Sequence, residues 1–159
     1  MENNFSIRVA DKCDLPKILS FIKKLAVYEK MQDQVIATEK SLEDWLFNKK
    51  VAKVIFAVEN GIEVGFALYF YNFSTFVGKA GIYLEDLFVD VEHRGKGYGK
   101  ALLKYLAKEV VEKNLGRLEW CCLDWNTPSI DFYLSLGAKQ MNGWTIYRLT
   151  GEELKNFAK

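Results

Sequence analysis

Arg94-Gly95-Lys96-Gly97-Tyr98-Gly99 sets three glycines at alternate positions between cations, and Lys100 follows as a helical pattern begins. Glycine lets backbone N–H groups approach a ligand because no Cβ stands in the way. A helix N-terminus adds unpaired N–H donors and a partial positive charge. The chemistry this predicts is the cradling of an anion, and a pyrophosphate suits it. The spacing excludes two familiar cradles. A dinucleotide fingerprint needs a third glycine at position 100 or 102, where Lys100 and Leu102 stand. A P-loop ending at Gly99-Lys100 needs glycine at 94 and a hydroxyl at 101, where Arg94 and Ala101 stand. The pattern that fits is [QR]-x-x-G-x-[GA], at Arg94, Gly97 and Gly99. That hexapeptide alone also describes a plain glycine-rich turn before a helix.

Other reactive side chains narrow the field. The cysteines are Cys13, Cys121 and Cys122, and His93 is the one histidine. Without C-x-x-C or a second histidine, no metal is expected. Adjacent Cys121 and Cys122 on a strand would point to opposite faces. The odd count therefore reads as three reduced thiols and a cytoplasmic protein. Lys and Arg number 22 against 21 Asp and Glu, so no basic excess points to nucleic acid. No apolar run approaches the ~20 residues of a membrane span, and the start MENNFSIRVA does not read as a signal peptide. With 159 residues, 50% of them hydrophobic, the chain is expected to form one domain over 1–159.

The elements that must position the cradle follow from periodicity. Phe5 to Val9 alternates as a first strand. Asp11 or Asp14 can cap the next helix, with Pro16 in its first turn and Ile18, Phe21, Ile22 and Leu25 on one face. Thr38 is placed to cap a second helix carrying Leu42, Trp45 and Leu46. Val54 to Val58 reads as a buried strand, Asn60-Gly61 as a hairpin turn, and Glu63 to Tyr71 as the return. Residues 72–78 read as a loop and Ile82 to Val89 as the next strand. Gly99 to Lys113 reads as a helix with Leu102, Leu103, Leu106 and Val110 on one face, closed by Gly116. Leu118 to Leu123 is expected as a strand, Asn126-Thr127-Pro128 as the start of a short helix through Leu136, Trp144 to Leu149 as a last strand, and Gly151 to Lys159 as a tail helix. The order β-α-α-β-β-β-α-β-α-β predicts an α/β fold, a mixed sheet with helices on both faces. The cradle lies at a carboxyl strand end, where such sheets place ligands.

Several segments in order resemble the GNAT (Gcn5-related) N-acetyltransferase superfamily. They are Tyr83-Leu84-Glu85-Asp86 into Phe88-Val89, the Arg94 to Gly99 loop, Asp124-Trp125-Asn126, Phe132-Tyr133, and Leu136-Gly137-Ala138. With Tyr28-Glu29 upstream and Gly143-Trp144 downstream, the likeness is to the diamine/polyamine branch, the spermidine/spermine and thialysine N-acetyltransferases. The resemblance implies a mostly antiparallel sheet in which two parallel strands splay, and acetyl-CoA as donor. It implies that Leu87, Phe88 and Val89 border the pantetheine arm and that the Val89 backbone meets the acetyl carbonyl. It implies that Arg94, Gly95, Lys96, Gly97, Tyr98, Gly99 and Lys100 hold the pyrophosphate, with Asn126, Thr127, Pro128 and Ser129 on the cofactor's other side. Asn126 reads equally as a helix cap, and both readings can hold together.

The acceptor amine has a pKa near 10.4, so it must lose a proton before attacking within a ternary complex. Glu85 is the candidate base, directly or through water. Tyr133 matches the family's general acid, although helical spacing alone describes a core aromatic equally well. Tyr28, Glu29, Glu85, Asp86, Glu119, Trp120 and Cys121 are candidates to face a cationic amine. Two departures shift the expected acceptor. Asn142 stands where the polyamine enzymes carry an acid, and Asn-Phe-Ser-Thr-Phe at 72–76 carries none. These favour a small diamine or a lysine-like acceptor over spermine. The resemblance also implies a homodimer with Trp144 to Leu149 at its interface. Rival readings are a non-catalytic acyl-CoA-binding regulatory module, or a relative acting on a peptide or antibiotic amine.

Overall fold

The computed structural model describes residues 4–159. They fall into two compact units, Met1–Cys121 and Cys122–Lys159. The first holds a five-stranded sheet in the order β1-β2-β3-β4-β5. Its strands are β1 (Phe5–Val9), β2 (Lys53–Glu59), β3 (Ile62–Ser74), β4 (Lys79–Val89) and β5 (Leu118–Trp120). The first three pairings are antiparallel and β4 with β5 is parallel. Helix α1 (Leu15–Tyr28) and a short α2 (Glu39–Leu42), continued by a π-helical turn at Glu43–Asn48, link β1 to β2. Helix α3 (Tyr98–Glu112) links β4 to β5. The second unit carries α4 (Thr127–Ser135) and α5 (Gly151–Phe157).

The two periodicities meet as expected. Ile18, Phe21 and Leu25 of α1 pack with Val54, Phe56 and Val58 of β2, Phe66 and Leu68 of β3, and Phe88 of β4. Phe21 touches three rings, with centroids 5.9 Å from Phe56, 5.3 Å from Phe66 and 6.4 Å from Phe88. Removing a ring so placed costs about 3–5 kcal/mol. The alternate residues Ile55, Ala57 and Ala67 are fully buried on the opposite face. There α3 buries Leu102, Leu103 and Leu106, and Tyr69 donates to Glu109 of α3 at 2.9 Å. Helices therefore cover both faces.

Local capping follows the sequence with two adjustments. Thr38 accepts from the Ser41 N–H at 3.1 Å and caps α2. Asp11 caps a 3-10 turn before α1, while Asp14 is taken by Arg8 at 2.7 Å. Helix α3 ends through Asn114, at φ 54°, and not through Gly116. Asn is the other residue that takes this conformation cheaply. Gly116 instead runs beside β4, its N–H donating to the Ala80 carbonyl at 2.8 Å.

The strands correct the sequence reading at two ends. The expected loop at 72–78 shrinks to a turn, because the aromatic run stays paired as far as Ser74↔Lys79. The expected strand Leu118 to Leu123 stops at Trp120, and Trp144 to Leu149 forms no ladder among the described residues. A strand exists only through its partner's hydrogen bonds, and alternation cannot supply that partner. Trp144, Ile146 and Tyr147 are correspondingly exposed.

Candidate active site

Two irregularities in β4 build the first half of the site. Along β3 the register runs Leu68↔Asp86 and then Tyr69↔Leu84, so Glu85 is a bulge residue with no opposite number. A bulge bends the strand and re-aims side chains. On the other edge, pairing with β5 covers only Ile82↔Leu118, Tyr83↔Glu119 and Leu84↔Trp120. Residues Glu85–Val89 continue beyond that last pair. The parallel strands thus part where Glu85, Asp86, Leu87, Phe88 and Val89 stand.

Glu85 is exposed and Asp86 is half-buried. The Asp86 carboxyl is pushed up to about 7 by burial, then by the neighbouring charges of Glu85 and Glu29. Glu29, the C-cap of α1, is itself raised by burial. Three carboxyls, drawn from the end of α1 and the bend of β4, thus share one neighbourhood and repel one another. Such a group favours a cation placed among it.

Tyr28 ends α1, and the Arg94 guanidinium lies 4.7 Å from its ring centroid and 5.3 Å from that of Phe88. The same guanidinium donates through Nε to the Val89 carbonyl at 2.9 Å. Arg94 therefore ties α1, β4 and the glycine loop together, a role the motif alone did not suggest. On β5, Glu119 lies 3.4 Å from Arg117 and takes a 3.4 Å bond from Asn72. The Tyr83 hydroxyl donates to the Cys121 thiol at 3.0 Å, and Trp120 stands opposite Leu84.

The glycine loop follows β4 through a 3-10 turn at Val91–His93. Gly95 and Gly97 take φ of 77° and 84°, where any side chain is strained. A Cβ on either would meet nothing within 4 Å, so these backbone faces are bare. Gly97 is the N-cap of α3, and its carbonyl receives the Ala101 N–H at 2.9 Å. The amides of Tyr98, Gly99 and Lys100, in the first turn, have no intrahelical acceptor. Bare glycine faces opening into a helix of fifteen residues fit an anionic diphosphate. Two of the loop's cationic side chains are turned to protein groups, Arg94 to Val89 and Lys96 to Glu59 at 2.8 Å, which leaves the backbone amides to face the anion.

In the second unit, Asn126 is buried and caps α4, accepting from the Ser129 N–H at 3.4 Å. Thr127 and Pro128 form the first turn. Tyr133 lies in the second turn, half-buried, with its ring 5.4 Å from that of Phe132. Among the described residues no group of three or more His, Cys, Asp or Glu is arranged to hold a metal ion, and no helix is long and apolar enough to cross a membrane.

Sequence reasoning missed Glu59. It ends β2, is 6% exposed, and gathers donors from His93, Lys96 and Tyr98 of the loop. The signal was slight: one carboxylate following the apolar run Val54 to Val58, just before Asn60-Gly61.

Residues 17–138 match the acetyltransferase (GNAT) family. The chain is 35% identical over 164 residues to a thialysine N-epsilon-acetyltransferase from Sus scrofa, covering 96% of each chain. It is 32% identical over 199 residues to an L-ornithine N5-acetyltransferase from Arabidopsis thaliana, covering 96% of this chain and 87% of that one. Among solved structures it is similar to an integron cassette protein from the mobile metagenome of V. cholerae, with TM-score 0.82, 32% identity and 98% of each chain covered.

Proposed function

The chain belongs to the acetyltransferase (GNAT) family, and from that premise we propose that it moves an acetyl group from acetyl-CoA to the primary amine of a small cationic acceptor. The observation that carries the acceptor class is the carboxyl group of three at Glu29, Glu85 and Asp86, beside the parting of β4 and β5. A diamine or a lysine-like amino acid matches it in charge. Acidic side chains are absent from 72–76, and Asn142 stands before Gly143-Trp144, which supports a short acceptor over a long polycation.

The donor supplies an activated thioester. The bare loop amides around Gly95 to Lys100 hold its diphosphate, Asn126, Thr127, Pro128 and Ser129 border it, and the backbone at Val89 meets the acetyl carbonyl, where a donor stabilises the developing oxyanion. Glu85 takes a proton from the ammonium, directly or through water. The freed nitrogen attacks the carbonyl carbon, the C–S bond breaks, the departing thiolate takes a proton from Tyr133, and the phenolate is reprotonated through water as the nitrogen sheds its second proton. Tyr28, Trp120, Cys121 and Glu119 line the acceptor side. A second reading gives the proton to Asp86, because its carboxyl, pushed up to about 7, is matched to neutral pH.

The working unit is a homodimer in the cytoplasm. Exposed Trp144, Ile146, Tyr147 and Leu149 offer an apolar edge for a second copy, and the three cysteines are free thiols. Product mass after incubation with acetyl-CoA and thialysine, ornithine, diamines, spermine, a peptide or an aminoglycoside tests the proposal. A mass gain of one acetyl on thialysine, ornithine or a diamine is expected. Acetylation of the peptide or aminoglycoside alone, or of nothing, would overturn it.

A further inference from the structure

Glu59 is a carboxylate buried at the end of β2, and three side chains of the glycine loop converge on it. His93 Nδ1 lies 2.5 Å from Oε2, and the Lys96 ammonium donates to Oε1 at 2.8 Å and to Oε2 at 3.2 Å. The Tyr98 hydroxyl donates to Oε1 at 2.6 Å. The Tyr98 ring also stacks on Phe5 of β1, at 4.7 Å between centroids and 3° between planes. His93 precedes, Lys96 separates and Tyr98 follows the two left-handed glycines, Gly95 and Gly97. A buried carboxylate is costly unless it is paired and hydrogen-bonded, and this one is both.

The arrangement has a consequence for the loop. Lys96 and His93, two loop side chains that could otherwise turn to a phosphate, are bound to Glu59. Without that carboxylate, His93, Lys96 and Tyr98 would lose their shared partner; Arg94 on Val89 and the Tyr98 ring on Phe5 would remain, and two glycines would leave the backbone between them free to wander. An unanchored loop must be ordered at the moment of binding, which lowers affinity without altering the chemistry.

We propose that Glu59 is a positioning residue, which fixes the glycine loop in its anion-binding shape by holding His93, Lys96 and Tyr98 behind it. This rests on the reading that the loop receives the diphosphate of acetyl-CoA. Glu59 touches neither the thioester nor the amine.

The test compares two donors in Glu59→Gln. Acetyl-CoA carries the diphosphate and S-acetylpantetheine does not. The variant should raise KM for acetyl-CoA about ten-fold, with kcat at saturation within about two-fold of the parent, the scale expected when a partner of a buried polar group is removed. Its kinetics with S-acetylpantetheine should match the parent's. An unchanged KM for acetyl-CoA, or equal losses on both donors, would overturn the assignment. Should Glu59→Gln fail to fold, Tyr98→Phe and Lys96→Met decide: each should raise KM for acetyl-CoA about three-fold with kcat retained, and no change in either would overturn it. Parent protein that neither binds CoA nor uses it would sink the functional reading itself. Normal CoA use by both parent and Glu59→Gln would sink this inference alone.

Discussion

Two carboxylate clusters flank the same strand-and-loop unit, and they are opposites. At Glu59, two basic side chains and a phenol surround one carboxylate, and hydrogen bonds from Lys96 first, then Tyr98 and His93, hold it down to about 2. The bond costs Tyr98 its acidity, which moves up to about 12. At Asp86, burial and the two like charges of Glu85 and Glu29 push the carboxyl up to about 7. The first cluster is complete in the protein as it stands. On the proposed function, the second is completed by the cationic acceptor. The contrast teaches which acidic groups support the fold and which await a ligand, a distinction that residue type cannot make.

Substitutions should separate the two clusters. Glu85→Gln should reduce kcat/KM for the amine about 100-fold at neutral pH and less at high pH, where the acceptor arrives already deprotonated. A uniform loss across pH would assign Glu85 to binding and leave the proton to Asp86. Tyr133→Phe should lower turnover by a similar ~100-fold with CoA affinity retained; parent turnover would remove Tyr133 from its role.

The clusters should also differ in the sign of their pH dependence. Asp86 has a folded value above its ordinary 3.8, so its ionisation opposes folding, and stability is lost as pH rises from about 4 to about 7. Asp86→Asn should therefore raise Tm at pH 8 and change it little at pH 4. Glu59 runs the other way. Its value lies below the ordinary 4.5, so its stabilisation is present above that pH and lost as pH falls towards about 2. Glu59→Gln should flatten the acid limb of a Tm-against-pH curve; a parallel shift at every pH would remove the charge from the argument. The smallest effect expected is that of Thr38→Ala, which removes a cap remote from both clusters. It should cost about 1 kcal/mol in chemical denaturation and leave KM for both substrates unchanged.

What was legible in the sequence was local. Thr38 ahead of Leu42, Trp45 and Leu46, Asn126 before Thr127-Pro128, and Asn60-Gly61 between apolar runs each declare a cap or turn within a few residues, and each is found. The glycine loop was legible for the same reason. The bulge at Glu85 was not, because it exists only as a mismatch in count between β3 and β4. Nor was the Glu59 cluster, whose partners lie 34, 37 and 39 residues away along the chain. The segment Trp144 to Leu149 shows the same limit from the other side: it read as a strand, but a strand-like run does not name a partner.

The most direct test is a crystal structure with coenzyme A bound. The diphosphate is expected within hydrogen-bond reach of the amides between Gly95 and Lys100, with Lys96 still on Glu59 and the thiol beside Glu85. Coenzyme A bound elsewhere with that loop empty, or Lys96 swung away from Glu59 onto a phosphate, would contradict it.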